Sequence, residues 1–303
     1  MLQHKLKSLV KKLTILMAVI WYGVPCFAQE SDFYSQYFQN RYVTNPSMAG
    51  VEKGLSFNLG YMQPFTSVPG SLKAQYLTVV YGAGNNVGIG LNVYNESVGL
   101  ITDTRVMGTY AYHLPLNEAD RLNFGLSLGF NNTYINYNSI VGNQGDISVN
   151  RYNEQPLYID GDFGTSFTSN NLTVQAMLPN LKSLFFRGNG QYLQTDLSVF
   201  LATVSYKIIP ESGNGSYALE PLAAFRAIRG AAAVFSGGLG FEMPDYGISL
   251  SGMYHNNQSA SLSFGLAIDN ISFLLVYTDD LDALKTAENN TFEIGLRFRL
   301  AGK

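Results

Sequence analysis

The chain has one cysteine and one tryptophan among 303 residues. Both, Cys26 and Trp21, lie in the first 28 residues. Beyond that point no disulfide, thiolate metal site or cysteine nucleophile can form. Charge is also scarce: 14% of residues are Asp, Glu, Lys or Arg, and the formal net charge is −3. A weakly acidic chain lacks the basic footprint of a nucleic-acid binder. After residue 30 no apolar run approaches the ~18–20 residues of a membrane-spanning helix. Past the N-terminal region only His113 and His255 remain, in separate segments and without His or Cys at metal-ligand spacing. What the chain has in abundance is glycine (30), tyrosine (20) and phenylalanine (19). Low charge and many aromatics without spanning helices leave two classes, a secreted β-protein and a transmembrane barrel.

The first residues read as an export signal. Lys5, Lys7, Lys11 and Lys12 form a basic region, Leu13 to Tyr22 is apolar, and Cys26-Phe27-Ala28 ends it with small residues two positions apart. Cleavage is expected after Ala28. Pro25 before Cys26 does not fit a lipid-attachment site. Removing this segment takes four of the 19 Lys and Arg and none of the 22 Asp and Glu, so the remainder is more acidic still.

The end of the chain shows what the rest repeats. Phe292, Ile294, Leu296, Phe298 and Leu300 alternate with Thr291, Glu293, Gly295, Arg297 and Arg299. Side chains on a strand alternate between its two faces, so one face here is wholly apolar and the other polar. Leu122, Phe124, Leu126, Leu128 and Phe130 oppose Asn123, Gly125, Ser127, Gly129 and Asn131 in the same way. So do Val87, Ile89, Leu91 and Val93 against Gly88, Gly90 and Asn92. Strand-like segments fall at 55–63, 72–81, 86–94, 104–114, 121–133, 157–167, 171–178, 195–206, 217–228, 232–242, 246–254, 259–268, 270–278 and 290–300. Their even number suits a bacterial single-chain barrel. Segments 195–206 and 217–228 alternate less regularly, which leaves their registers open.

The polar face separates barrel from sandwich. A soluble sandwich turns Lys- and Glu-rich faces to water. Here that face is Gly, Ser, Asn and Thr, small side chains that suit the inner wall of a closed barrel. With both termini periplasmic, the longest connections (134–156 and 179–194, with 279–289) fall outside the cell. Most of the others are short, such as 82–85, 168–170 and 243–245, which is the usual barrel asymmetry. Tyr61, Tyr81, Tyr94, Tyr110, Tyr112, Tyr254 and Tyr277 lie at or near strand ends, where aromatic girdles meet the membrane–water boundary. The expected fold is therefore an all-β transmembrane antiparallel β-barrel of about 14 strands over residues 55–303, after a signal peptide (1–28) and a lead-in (29–54).

No catalytic set emerges, and no cofactor or metal site is expected. Gly82-Ala83-Gly84-Asn85-Asn86-Val87-Gly88 resembles a dinucleotide loop only superficially, since a period-two strand follows where a helix is needed. Asp279, Asp280 and Asp282 lack EF-hand spacing and read as a solvated acidic loop. Arg105, Glu293, Arg297 and Arg299 are expected to face the lumen, where a wet interior tolerates charge. There they would pair with one another, set pore selectivity or hold a plug segment. The lead-in Phe33-Tyr34-Ser35-Gln36-Tyr37-Phe38-Gln39-Asn40-Arg41-Tyr42-Val43-Thr44-Asn45-Pro46-Ser47-Met48-Ala49-Gly50 has neither helical nor strand periodicity. Asn45-Pro46 marks a turn. The segment is either an ordered approach to the first strand or a periplasmic or lumenal docking element.

This lead-in resembles the start of the PorP/SprF family of the Bacteroidetes type IX secretion system, through Ser35, Gln36, Tyr37, Asn45, Pro46, Ala49 and Gly50. The likeness continues through Gly88-Ile89-Gly90-Leu91-Asn92-Val93-Tyr94-Asn95-Glu96, Tyr110-Ala111-Tyr112-His113-Leu114 and Ala176-Met177-Leu178-Pro179-Asn180-Leu181. Ser47 replaces the common Ala, Glu96 stands where Asp is common, and Asn180 where His is. The resemblance implies a non-enzymatic outer-membrane protein that supports secretion or surface attachment of particular cargo, including gliding adhesins. It implies as partners outer-membrane lipid, periplasmic components of the secretion machine and cargo C-terminal domains, with the seven matched lead-in residues as candidate contacts. Two other classes remain open on the residues alone: a passive or substrate-specific pore, and a membrane-embedded hydrolase built around His113 or His255.

Overall fold

The computed structural model describes residues 36–64, 70–135, 153, 157–182, 198–210, 217–229, 232–281 and 290–300. Fourteen antiparallel strands form a closed barrel. In order they are β1 (Gly54–Pro64), β2 (Lys73–Gly82), β3 (Val87–Val98), β4 (Ile101–Pro115), β5 (Arg121–Ile135), β6 (Tyr158–Thr168) and β7 (Leu172–Leu178). Then come β8 (Ser198–Tyr206), β9 (Ala218–Ile228), β10 (Val234–Met243), β11 (Ile248–His255), β12 (Ser259–Ile268), β13 (Ile271–Asp280) and β14 (Thr291–Leu300). Each strand pairs with its neighbours in sequence, and β14 closes on β1 with Leu55 opposite Leu300 and Leu59 opposite Leu296. Closure leaves no sheet edge, so wall backbone groups find partners in adjacent strands, as a lipid solvent demands.

Polarity runs opposite to that of a soluble protein. Leu128, Leu262 and Ile159 expose 58%, 67% and 76% of their surface, while Asn123, Ser127, Ser166 and Thr203 are buried. Period two puts the first set on the lipid side and the second on the lumen side. One end of the barrel carries the turns 83–86, 116–120, 169–171, 244–247 and 269–270, and the longer link 207–217. At this short-turn end Asp120 accepts from the Asn117 amide at 2.6 Å. Hydrogen bonds from Ser169 and Asn117 hold its carboxyl below the usual carboxylate range, tying two neighbouring turns together. The opposite end carries the long connections.

Several sequence expectations shift in detail. Strands β3 and β4 run on to Val98 and from Ile101, joined by Gly99-Leu100 with Gly99 at φ +60°. Asp279 and Asp280 belong to β13, opposite Ala260 and Ser259, and not to a loop. At roughly 3.3 Å per residue, the 15 residues of β4 and of β5 outreach an apolar band ~25 Å tall. Beyond that band the outward side chains have no need to be apolar, so the alternation fades before the strand ends. Tyr94 does not join an aromatic girdle. Its parity with Gly88, Gly90 and Asn92 turns it into the lumen, where its hydroxyl donates to Glu96 Oε2 at 2.5 Å. Tyr61, Tyr81, Tyr110, Tyr112, Tyr254 and Tyr277 do face outward. The irregular 195–206 segment contains a register shift between Ser198 and Phe200.

Candidate functional site: a lumen filled by the N-terminal segment

Residues 36–50 lie inside the barrel. Two single helical turns, Gln36–Gln39 and Arg41–Thr44, lead into a 3-10 turn at Pro46–Met48. Asn45 creates the break between them. Its extended backbone ends the second helical turn, and its Oδ1 accepts the Ser47 N–H at 2.9 Å as a cap. Pro46 cannot supply that N–H and fits the first position of the turn. The Asn45 amide donates to the carbonyls of Thr165 on β6 (3.3 Å) and Ala176 on β7 (3.1 Å). Ser47 Oγ lies 2.9 Å from Ser166 Oγ. His113 Nε2 donates to the Ala49 carbonyl at 3.0 Å, and its Nδ1 is 2.9 Å from the Asn123 side chain. Both ring nitrogens are thereby engaged in seating this segment. His255 is buried on β11, with Nδ1 2.6 Å from Ser236 Oγ. No group of three or more His, Cys, Asp or Glu able to hold a metal occurs among the described residues.

The wall receives this turn on glycine. A Cβ on Gly88 would sit 1.8 Å from the Ala49 carbonyl oxygen, and one on Gly125 2.3 Å from the Ser47 nitrogen. On Gly164 it would sit 2.0 Å from Asn45 Oδ1, and on Gly90 2.5 Å from the Tyr42 ring. Each distance is far inside van der Waals contact, so these strands approach the segment as bare backbone. Gly50, at φ +70°, makes the bend that takes the chain out toward β1.

The helical turns upstream use polar side chains. Gln36 donates to Glu293 on β14, and Asn40 to Thr78 Oγ1 on β2 at 3.1 Å. Arg41 pairs with Glu220 on β9, and Gln39 donates to Ser249 on β11 at 3.0 Å. Tyr42 and Thr109 share a 2.7 Å hydroxyl contact, and burial raises the Tyr42 phenol above its ordinary value, keeping it neutral. Tyr37 packs with Leu222, Ala224 and Met253. The segment thus touches strands on every side of the lumen.

The four lumen charges expected from sequence all face inward or toward the short-turn rim. Arg105 pairs with Asp162 at 2.7 Å, and Arg299 with Glu52 at 2.6 Å. Arg297 reaches both the Gln39 carbonyl (3.3 Å) and Glu52 (3.2 Å), and Glu293 receives Gln36. Of the lead-in candidates, Gln36, Tyr37, Asn45, Pro46 and Ala49 are buried against the chain's own wall, with Gly50 beside them. Ser35 lies outside the described residues. Arg41, Tyr42, Ser47 and their wall partners Glu220, Thr109 and Ser166 had no individual signal in the sequence. The glycines of the inner face were the available signal, read there as a sign of a narrow wall. At the long-loop end, the strand end Pro179-Asn180-Leu181 also turns inward. Asn180, at φ +53°, donates its N–H to Asp162 Oδ1 at 3.0 Å, and the Lys182 N–H donates to Asp160 Oδ1 at 2.9 Å.

Fold and lumen together define a transmembrane β-barrel of outer-membrane type whose interior is occupied by its own N-terminal segment. The chain belongs to the PorP/SprF family of type IX secretion system membrane proteins, whose family model matches residues 26–298. No curated protein matches it. Among solved structures it is similar to the toluene transporter TbuX of Ralstonia pickettii, with 10% identity over 86% of this chain and 93% of that one, and a TM-score of 0.49. It is similar too to the Pseudomonas putida toluene transporter TodX (9% identity, 86% and 93% covered, TM-score 0.48). The Acinetobacter baumannii outer membrane protein Omp33 gives 9% identity, 83% and 100% covered, and a TM-score of 0.46. These likenesses concern barrel architecture and say nothing of what this barrel binds.

Proposed function

We propose that the chain is a non-enzymatic component of type IX secretion in the outer membrane, supporting export or surface attachment of specific cargo through protein contacts. Cargo C-terminal domains, large gliding adhesins among them, and periplasmic parts of the machine are its proposed partners. The observation that carries this reading is the occupied lumen. A segment fastened to β2, β4, β6, β7, β9, β11 and β14 fills space that a diffusion pore keeps open. Secretome and surface-proteome analysis of a deletion strain provides the test. A defined subset of cargo is expected to remain in the envelope, and unchanged secretion and surface display would overturn the proposal. Reconstitution in planar bilayers tests the pore alternative, for which a steady solute-selective conductance of the intact chain would decide.

A further inference from the structure

The lumenal segment is held in two different ways. At Pro46–Met48 the backbone lies directly on β4, β5 and β6, and the glycine seat leaves no room between them. Asn45, Ser47 and Ala49 are at most 1% exposed there. This wedge is bound by shape. The helical turns of residues 36–44 stand off the wall and reach it through side chains: Gln36 to Glu293, Arg41 to Glu220, Asn40 to Thr78 and Gln39 to Ser249. Tyr37 and Phe38 supply an apolar patch over Leu222, Ala224 and Met253. This arm is bound as a peptide ligand is bound, by a few charged or amide contacts around an aromatic anchor. The extended Asn45 joins the two parts.

We propose that the wall facing residues 36–44 is a peptide-binding site, that the arm is its ligand in cis, and that a partner segment bearing arginine and aromatic side chains takes its place when the arm withdraws. The partner's chemistry follows from the wall. Two carboxylates, Glu220 and Glu293, receive Arg41 and Gln36 on a wall that also carries the apolar Leu222 and Met253 and the neutral Thr78, Thr173 and Ser249. Of the wall's cations, Arg297 is paired with Glu52 and holds the Gln39 carbonyl, and Arg226 lies buried along β9. A basic group spaced from an aromatic ring satisfies both features. An acidic segment would leave the two carboxylates facing like charge. A tethered arm competes at an effective concentration in the millimolar range, so the resting site is closed. The inference rests on the protein-contact reading above and names the chemistry of one partner.

The test uses a fluorescent nonapeptide of residues 36–44 and the purified full chain in detergent, with anisotropy as readout and heat-modifiable gel mobility as the check on barrel formation. Gln36→Ala/Arg41→Ala weakens the arm and leaves the wall intact. That variant is expected to bind the peptide at least tenfold more tightly than the unaltered chain. Adding Glu220→Gln should cut its affinity at least fivefold. Equal affinity in the first comparison, or indifference to Glu220→Gln in the second, would overturn the proposal. A second variant keeps Gln36 and Arg41. In a Cys26→Ala background, Phe38→Cys/Gly240→Cys is designed to lock the arm, because the Phe38 ring reaches to 2.9 Å from where a Cβ on Gly240 would stand. Loss of both free thiols on oxidation establishes the disulfide before binding is read. Peptide binding is expected to rise on reduction of that disulfide, and an unchanged signal counts against the site. A deletion strain that loses secretion while no variant binds peptide would keep the secretion role and remove this one.

Discussion

Gly88→Ala is the smallest change that attacks the seat of the lumenal wedge. The new methyl carbon would stand 1.8 Å from the Ala49 oxygen, 2.6 Å from its carbonyl carbon and 2.9 Å from the Gly50 Cα. All three are backbone atoms, so no side chain can swing aside. Restoring ordinary contact requires the wedge to retreat by about 1.5 Å. That retreat breaks the 3.0 Å bond from His113 Nε2 to the same carbonyl. Overpacking of this kind costs ~1–3 kcal/mol, and a buried acceptor left unmade costs ~1–3 kcal/mol more. Seating therefore weakens by ~2–6 kcal/mol, and even the lower bound shifts the seated-to-released ratio about thirtyfold. Trypsin reads this ratio directly, because Arg41 lies in the enclosed segment. The folded wild-type barrel is expected to resist cleavage after Arg41, and Gly88→Ala to be cut at least ten times faster while still migrating as a barrel. Gly108→Ala is the control. Its Cβ faces outward and meets only the Leu128 carbonyl oxygen, at 3.8 Å, so its cleavage should match wild type. If folded Gly88→Ala is as resistant as wild type, the seat is not what holds the segment.

Three further outcomes follow from the same contacts. Arg41→Ala leaves the Glu220 carboxylate without its cationic partner. With Arg41 a quarter exposed, the loss should be ~1–2 kcal/mol, and in a thermal-unfolding cycle Glu220→Gln should recover most of it. Asn45→Ala removes the cap of the 3-10 turn and both amide donations across the β6–β7 seam. It should lower unfolding free energy by ~2–4 kcal/mol in urea titration, whereas Ser47→Ala, which keeps the cap acceptor, should cost less. Leu126→Arg puts a charge on the lipid face, between Tyr110 and Phe163. It should cost ~2–4 kcal/mol of folding into vesicles, and a cost near zero would refute the outward assignment of that face.

The strands were legible because lipid is an unforgiving solvent. Each residue facing it across the apolar band must be apolar, so β5, β12 and β14 declare their parity without ambiguity. The last residues of β3 and β13 were not legible, because Asn95-Glu96-Ser97 and Asp279-Asp280 lie where that selection lapses. Tyr94 was misread for a related reason. Tyrosine suits both a girdle and a lumen, and only its register with Gly90 and Asn92 tells them apart. Parity bears only on which face the charges of β14 take and is silent on their partners. Glu52, Gln36 and Gln39 are brought to them by a segment with no periodicity of its own.

That segment explains the composition of the inner face more fully than barrel narrowness does. A wall that is merely narrow needs small side chains all round, and serine or alanine serves as well as glycine. Here a single methyl group at Gly88, Gly125 or Gly164 would collide with the wedge itself, whereas other inward glycines such as Gly60, Gly129 and Gly295 face atoms of the wall. Elsewhere the lumen accepts Met62, Tyr76, Met107 and Arg226, side chains far too large for a uniformly tight bore. The inner face of β3, β5 and β6 is shaped to one object, and that object carries Asn45-Pro46-Ser47-Met48-Ala49-Gly50, part of the stretch whose resemblance to the family is set out above. Pattern and seat are two halves of one contact, so a bulky change in either should be relieved by removing the other. Deleting residues 36–50 should make Gly88→Ala harmless to barrel stability, and a penalty that persists in the deleted chain would break the link between them.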